Sequence, residues 1–407
     1  MKGAIAAGVL ARLVVITIAA VRRGSEAFLV PDSETYLTPA STLLARFAFN
    51  DRYGDPELGR PPGYPLLLAV GWAVGAPVAF ALILNVALSA IIVALTFHIA
   101  RSVLDERLAV ICAWIAALEP TMMTWSMKVM PETLLVVCLL FFTSAALRGH
   151  PVAAGIALAA AAYAKPIAWP LVFVVFIAAL IAHRRQAPVY LATAVICLAP
   201  WHLRNAYRTG YAGFSTIAER AVYLGAGGSV IAQREQRPYD DVRREMIEEN
   251  ALRSSRGDPA RFARIRNEGA AIIAADPLRW LTIHAKGIAR TLLDPGAVEY
   301  LRFFGLYAEG GRAAMARGGL AAAARAYPLG FWLSVVLAVL LLPLVVLPFV
   351  GAARVPRDRR AAFVLFALVA GYLIVVSGGI NGYHRFRVPA VPYLLLMSAF
   401  ARRTLPA

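Results

Sequence analysis

The feature that most constrains this chain is a series of about ten apolar blocks, each close to the length that a membrane-crossing helix needs. A transmembrane helix takes about 20 apolar residues, because the hydrocarbon core of a bilayer is about 30 Å thick. The blocks lie near residues 3–21, 78–100, 108–118, 132–147, 152–163, 169–182, 189–200, 329–350, 361–376 and 388–400. They are continuous rather than alternating, so they argue against a β-barrel and predict an all-α polytopic membrane protein.

Composition supports this class. Of the 407 residues, 60% are hydrophobic and 16% are charged, whereas soluble proteins average roughly 45–50% and about 25%. These values exclude an ordinary soluble enzyme, a secreted disulfide scaffold and a disordered chain. The three cysteines all lie inside apolar blocks, without the spacing of metal ligands: Cys112, Cys138 and Cys197. We therefore interpret them as small core residues and predict no metal site.

The net charge of +17 has a membrane explanation. In a soluble protein it would favour nucleic acid as a partner, but here most of the excess lysine and arginine flanks the apolar blocks. Such residues set topology and contact anionic headgroups, so we expect membrane lipids as partners and no nucleic acid. The short-loop arginines place both termini in the cytoplasm. Arg22 and Arg23 are exceptions to that pattern, and Arg12, inside the first block, either snorkels or faces the helix bundle.

The pattern divides the chain into three parts. Residues 1–200 form an N-terminal transmembrane module with a first extracytoplasmic loop at 22–76, and residues 328–407 hold the C-terminal transmembrane helices. Residues 201–327 form an extracytoplasmic segment that is mixed but mainly helical. After Pro277, apolar residues recur on one helical face and basic residues on another. This pattern predicts an interfacial helix, or alternatively a helix packed on a small outer domain.

Acidic residues are predicted at the outer boundary of several blocks. Asp32 and Glu34 follow the first block, and Asp32 is either a general base or the N-cap of a helix over residues 33–47. Glu119 ends the third block and Glu132 opens the fourth, where Glu132 could equally serve the helix dipole. The topology predicts that Asp32, Glu119 and Glu132 lie at one depth.

Basic residues are predicted at the same boundary, where the positive-inside rule does not place them. They are Lys165, Arg204, Arg385 and Arg387. A phosphate group at the membrane surface would account for them, since arginine grips phosphate oxygens bidentately and lysine adds a point charge. The alternative is snorkelling to lipid headgroups. The candidate residues for a substrate cavity at this level are Tyr36, Arg60, Tyr64, Glu119 and His384.

The order of the motifs resembles a known family. The motifs are Asp32-Ser33-Glu34-Thr35-Tyr36, Arg60-Pro61-Pro62-Gly63-Tyr64-Pro65, Pro131-Glu132-Thr133-Leu134, Lys165-Pro166, Pro200-Trp201-His202-Leu203-Arg204-Asn205 and Arg385-Phe386-Arg387-Val388-Pro389. As an ordered set they resemble the GT-C fold glycosyltransferases. The likeness is to the bacterial family related to dolichyl-phosphate-mannose protein mannosyltransferases and aminoarabinose transferases.

The resemblance implies an inverting glycosyltransferase that moves a hexosyl or pentosyl group from a polyprenyl-phosphate donor. Asp32 would align with the catalytic base, Glu132 with the second acidic position, and the four basic residues with the donor phosphate. This sequence has Asp-Ser-Glu where many relatives have adjacent Asp and Glu, which leaves the role of Glu34 open. The acceptor is a lipid, a glycan or a protein.

Phosphate is a good leaving group that cationic side chains can stabilise, so no cofactor is expected and no metal is required. The expected location is a bacterial inner membrane, with the active site facing outward. Two other functions stay open. A ligase or polymerase of lipid-linked glycans would use a pyrophosphate donor. A transporter or flippase would carry functional charges at mid-membrane and paired broken helices, and neither is clear in this sequence.

Overall fold

The computed structural model describes residues 1–182, 184–253, 259–307 and 311–402. Within these ranges the chain is helical, and its only β-pairing is an isolated bridge between Asn50 and Pro56. The helices up to residue 209 are Lys2–Arg23, Glu34–Arg46, Gly63–Ala73, Pro77–Val103, Glu106–Leu118, Pro120–Ser126, Glu132–Leu147, Pro151–Ala164, Ala168–Ala182 and Ala187–Thr209. The predicted all-α class is confirmed, and each of the first seven apolar blocks coincides with a helix.

The remaining elements belong to the predicted outer segment and the C-terminal part. The outer segment holds Ile217–Arg220, Gly228–Arg234, Tyr239–Glu249, Ala260–Ala275, Pro277–Leu293, Ala297–Phe303 and Gly311–Ala326, with a π-helix at Ala221–Gly227. The C-terminal part holds Pro328–Arg354, Arg360–Val376 and Val391–Ala399. Three short 3₁₀ helices complete the list at Gly24–Phe28, Arg357–Arg359 and His384–Ala390.

In the described part of the chain, four helical segments are long and apolar enough to cross a membrane: Lys2–Phe28, Pro77–Val103, Pro328–Arg354 and Arg357–Val376. A fifth candidate is a pair, Glu106–Leu118 and Pro120–Ser126, that bends by 50°. The bend follows from Pro120, because a proline disfavours helical backbone in the residue before it. The fold is that of an integral membrane protein, while a count of about ten spans remains a prediction.

Arg12 faces the bundle. Its side chain is 1% exposed, and it donates to Ser126 Oγ at 2.7 Å and to the carbonyl of Ala117 at 2.7 Å. The guanidinium therefore joins the first helix to the bent pair, and the snorkelling alternative is wrong.

Two antiparallel helices bring distant residues to one end of the bundle. Glu132–Leu147 and Pro151–Ala164 pack against each other. Since Glu132 opens the first helix and Lys165 follows the second, both lie at the same end of the hairpin. The helix Gly63–Ala73 joins them there, where a Cβ on Gly63 would lie 2.6 Å from the carbonyl oxygen of Tyr163. Only glycine allows this approach, which brings the preceding Arg60 close to the hairpin end.

The helix Pro277–Leu293 has two distinct faces, and we call it the outer helix. Asp276 caps it by accepting from the amide of Arg279 at 3.2 Å. Ile283, Gly287 and Thr291 are buried, whereas Leu278, Leu281 and Leu293 are exposed. The predicted amphipathic helix is confirmed as a helix with an exposed apolar stripe, and its buried face packs on the turn that precedes the His384–Ala390 element.

Candidate active site

Asp32 lies in a turn between the first helix and Glu34–Arg46. Its carboxylate accepts from Arg385 Nη1 at 2.7 Å and lies 3.4 Å from Arg60 Nη2. The following helix begins at Glu34 after Ser33, and no side chain caps its first turn. The Asp32 carboxylate therefore contacts two arginines and does not cap the helix. Its side chain is 41% exposed, so a substrate can reach it.

Glu132 is the buried counterpart of Asp32. Its side chain is 0% exposed, and its Oε1 accepts from Lys165 Nζ at 2.9 Å and from Arg385 Nε at 2.5 Å. Arg385 therefore bridges the two carboxylates, using Nε for Glu132 and Nη1 for Asp32. A buried carboxylate with two cationic donors is an internal counter-ion that fixes them in place. This placement favours Asp32, not Glu132, as the group that meets the substrate.

Aromatic side chains hold the basic residues of this cluster from the other side. The Arg385 guanidinium lies 5.2 Å from the ring centre of Trp125, and Lys165 Nζ lies 5.1 Å from that of Phe386. Tyr36 and Tyr64 form an edge-to-face pair at 5.7 Å, and Arg60 Nη1 donates to the Tyr36 hydroxyl at 3.2 Å. Cation–π contacts of this kind orient a charge without neutralising it.

The cluster has an excess of positive charge. Asp32 and Glu132 contribute two negative charges, and three basic residues contribute three positive charges: Arg60, Lys165 and Arg385. The surplus of one positive charge lies beside Asp32, which solvent reaches, whereas Glu132 is buried. Such a group attracts an anion to the point where a carboxylate can act as a base.

Other predicted site residues lie elsewhere. Glu34 is 57% exposed and pairs with Arg52 at 3.5 Å, so its side chain is directed away from the cluster. Glu119 accepts from the amide of Met122 at 2.6 Å and caps the short helix Pro120–Ser126. Glu119 therefore makes no contact with the cluster around Asp32 and Glu132, because the helix break at Pro120 engages its carboxylate in local capping. A common depth for the three acids stays a prediction.

Arg204 and Arg387 do not join the cluster either. Arg204 donates to the carbonyls of Glu57 at 2.7 Å and Phe49 at 2.9 Å, which ties the first loop to the helix Ala187–Thr209. Arg387 is 0% exposed and donates to carbonyl oxygens at the end of the outer helix. The terminal nitrogens of both guanidinium groups donate to acceptors of the protein, whereas Nε of Arg387 is buried without a partner among the described residues. These are structural contacts, and a phosphate contact of either residue stays a prediction.

His384 contacts an acid that the sequence did not single out. Its Nδ1 lies 3.0 Å from Asp294 Oδ2, while its Nε2 is buried with no protein partner. Asp294 follows the outer helix directly, and nothing in the local sequence distinguishes it from a helix-terminal aspartate. Lys128 was missed for the same reason: it is buried, donates to the carbonyl of Ala27 at 2.8 Å and lies 3.8 Å from Glu299.

An apolar cavity of about 550 Å³ lies beside this region. Its walls include Trp114 and Leu118 on one side and Leu337, Leu341 and Leu344 on the other, and Glu119 and Arg387 also line it. Asp32 and Glu132 are not part of its lining. The cavity is thus a mainly apolar space between helices.

The electrostatics of Asp32 follow from these contacts. Burial raises the pKa of its carboxyl, but the charges of Arg60 and Arg385 and the hydrogen bond from Arg385 outweigh burial, so the pKa lies below its ordinary value of 3.8. A base with a lowered pKa keeps its reactive, deprotonated form as the pH falls, until the pH passes below that lowered pKa.

We therefore expect Arg60→Ala to move the acid limb of the pH profile. Removing this cation leaves the effect of burial less opposed, so the pKa of Asp32 rises and activity is lost at a higher pH than in the wild type. The measurement is kcat/KM for the donor across the acid range, which reports groups of the free enzyme. An acid limb that stays in place would mean that Asp32 does not limit the reaction.

Among the described residues, no group of three or more histidine, cysteine, aspartate or glutamate side chains is placed to hold a metal ion. The cations that face Asp32 are side chains of the protein itself. A reaction without a metal remains a prediction.

The comparisons with known proteins bear on this arrangement. The dolichyl-phosphate-mannose-protein mannosyltransferase family model matches residues 59–203. The predicted resemblance is confirmed. The matched segment covers less than half of the chain; it includes Glu132 and Lys165, whereas Asp32 and Arg385 lie outside it. The match shows that this segment is similar to that family.

Solved structures of similar proteins have low identity to the chain. The oligosaccharyltransferase AglB from Archaeoglobus fulgidus matches with 15% identity and a TM-score of 0.47, over 95% of this chain and 50% of its own. ArnT from Cupriavidus metallidurans matches with 14% identity and a TM-score of 0.44, over 98% of this chain and 78% of its own. This chain therefore spans about half the length of AglB. No curated protein matches it.

Proposed function

We propose that this protein is an inverting glycosyltransferase that takes a sugar from a polyprenyl-phosphate donor at the outer face of the membrane. The observation that carries the proposal is the cluster of two carboxylates and three cations, in which Asp32 is accessible and Glu132 is not. The match of residues 59–203 to a family that is described by a dolichyl-phosphate-mannose donor supports the same chemistry.

In this mechanism Asp32 removes the proton from the acceptor hydroxyl. The hydroxyl oxygen attacks the anomeric carbon from the face opposite the phosphate, the bond from that carbon to the phosphate oxygen breaks, and the configuration inverts. The leaving polyprenyl phosphate gains a negative charge, which the surplus positive charge around Arg385 stabilises. Glu132 holds Arg385 and Lys165 without competing for the substrate, because it is buried.

The donor chain needs an apolar environment. The cavity of about 550 Å³ lies between membrane-spanning helices and is lined largely by leucine and other apolar side chains. Ligand pockets of this kind typically measure about 300–1,000 Å³. We assign part of the prenyl chain to this space, with its phosphate directed toward the Arg385 side of the bundle. The acceptor remains a lipid, a glycan or a protein.

The donor class can be tested with the purified protein in lipid nanodiscs. We expect sugar transfer from a polyprenyl-monophosphate sugar to an extract of envelope lipids and glycans, detected by mass spectrometry of the product and of the released polyprenyl phosphate. A matched polyprenyl-pyrophosphate sugar should give little or no transfer. Transfer only from the pyrophosphate donor would favour a glycan ligase or polymerase, and movement of the lipid across the bilayer without transfer would favour a flippase.

A further inference from the structure

We propose that Arg387 and His384 are positioning residues, which place Arg385 by tying its loop to the end of the outer helix Pro277–Leu293. The inference rests on the proposed function, since it assigns a role toward Arg385. It differs from the sequence prediction that Arg387 contacts the donor phosphate.

The first observation is the set of contacts of Arg387. Its Nη1 donates to the carbonyls of Thr291 and Leu292, both at 2.8 Å, and to that of Asp294 at 3.1 Å. Its Nη2 donates to the Asp294 carbonyl at 3.1 Å and to Thr121 Oγ1 at 2.9 Å. The last carbonyls of a helix lack partners within the helix. Arg387 supplies that partner, which leaves neither of its terminal nitrogens free for a phosphate.

The second observation is the contact of His384 with the same helix end. Its imidazole Nδ1 lies 3.0 Å from the Asp294 carboxylate, and its ring packs on the backbone of Gly296, where a Cβ would lie 2.9 Å from the ring. Burial raises the pKa of Asp294, but the hydrogen bond and charge of His384 outweigh it and bring the pKa to about 2. His384 and Arg387, which precede and follow Arg385 in the sequence, therefore both contact Asp294.

The third observation lies further up the outer helix. A Cβ on Gly287 would lie 2.1 Å from the carbonyl oxygen of Gly379, so the helix and the turn that leads into the arginine loop touch backbone to backbone. His284 Nε2 adds a contact of 2.9 Å with the carbonyl of Val375. Contacts in the middle of the helix and at its C-terminal end make the outer helix and the segment from Val375 to Arg387 one packed unit. A shift of the helix end would move Arg385 relative to Asp32.

The consequence for the reaction is geometric. Arg385 contacts Asp32 at 2.7 Å and Glu132 at 2.5 Å, so a small shift of its backbone breaks one contact or the other. Misplacing a catalytic group by about 1 Å can cost on the order of 10²-fold in rate. We therefore expect Arg387→Ala to lower turnover by about that factor without removing a hydrogen bond to the donor phosphate.

A double-mutant comparison tests this directly. If Arg387 acts through Arg385, adding Arg387→Ala to Arg385→Ala should cause at most about a twofold further loss of turnover, because coupled residues are not additive. If Arg387 contacts the phosphate independently, the two losses should multiply, and the proposal would be wrong. Arg387→Lys, which keeps the charge and some donors, provides a folded variant if the alanine variant does not fold.

Hydrogen exchange supplies a readout that does not depend on activity. In Arg387→Ala and in Asp294→Ala, amides at residues 291–296 and 384–387 should exchange faster than in the wild type. They should not do so in Arg279→Ala, which removes an arginine from the opposite end of the same helix. Unchanged exchange in both variants would contradict the proposed tie between the loop of Arg385 and the end of the outer helix. Hydrogen exchange tests this contact even if the protein transfers no sugar. A failure of the proposed function can therefore be told apart from a failure of the positioning proposal.

Discussion

Replacing Asp32 by asparagine is expected to lower turnover by about 10²–10⁴-fold, the usual cost of losing a general base. The amide keeps the shape of the side chain and can still accept from Arg385, so the protein should fold, insert and bind the donor. What it loses is the ability to take the acceptor proton. The measurement is single-turnover sugar transfer alongside donor binding, which separates chemistry from affinity.

Two matched substitutions serve as controls for Asp32. Glu34→Gln changes an exposed carboxylate that pairs with Arg52, and it should cost much less. Glu132→Gln removes the buried counter-ion of Lys165 and Arg385, and it should lower stability as well as turnover because breaking a buried ion pair costs about 3–5 kcal/mol. Near-normal turnover in Asp32→Asn would remove Asp32 as the base. A large loss in Glu34→Gln would transfer that role to Glu34.

Replacing Arg385 by alanine is expected to have the second largest effect. The change removes the bridge between Asp32 and Glu132 and the cation that faces the donor phosphate. Losing a hydrogen bond to a charged group costs about 1.5–3 kcal/mol, which corresponds to roughly 10–150-fold in kcat/KM for the donor. Glu132 would also keep only Lys165 as a partner, so the midpoint of thermal unfolding should fall.

The conservative and distant variants distinguish this role from a general charge effect. Arg385→Lys should restore stability better than activity, since one ammonium group cannot reproduce two directed contacts from different nitrogens. Arg52→Ala removes an equal charge from the exposed Glu34 pair, and it should leave donor kinetics unchanged. Unaltered donor kinetics in Arg385→Ala would exclude this residue from the site.

The fold was largely predictable because hydrophobic length determines where a chain can cross a bilayer. The predicted block at 132–147 coincides with the helix Glu132–Leu147, and the block at 78–100 lies inside Pro77–Val103. The end of the chain was less predictable. The block at 388–400 is a 3₁₀ helix at His384–Ala390 followed by the helix Val391–Ala399. Pro389 lies inside the first element and lacks the N–H that a regular helix uses, whereas Pro392 lies in the first turn of the second, where proline is tolerated.

The site was predictable only in part, because charge at the correct depth does not determine where a side chain points. Asp32, Glu132, Lys165 and Arg385 do meet, as their shared boundary position predicted. Arg387 is only two residues from Arg385, yet it is directed to helix carbonyls instead. Sequence spacing gives no signal for such a contact, which depends on an outer helix about 90 residues earlier in the chain.

Asp294 and Lys128 show a related limit. Each is a single charged residue near an element boundary, where an exposed charge is the common case. Their partners, His384 and Glu299, come from segments 90 and 171 residues away. Only the packed structure shows that Lys128 is buried and that both charges are paired.

The measurement that tests the central claim most directly is the anomeric configuration of the product. With a polyprenyl-monophosphate sugar of known configuration and the wild-type protein in nanodiscs, nuclear magnetic resonance of the purified product should show the opposite configuration at the anomeric carbon. A single base, Asp32, acting on the acceptor opposite the leaving phosphate predicts that inversion. Retention of configuration would show that the product does not arise from a single attack opposite the phosphate, and it would contradict the mechanism in which Asp32 is the general base for that attack.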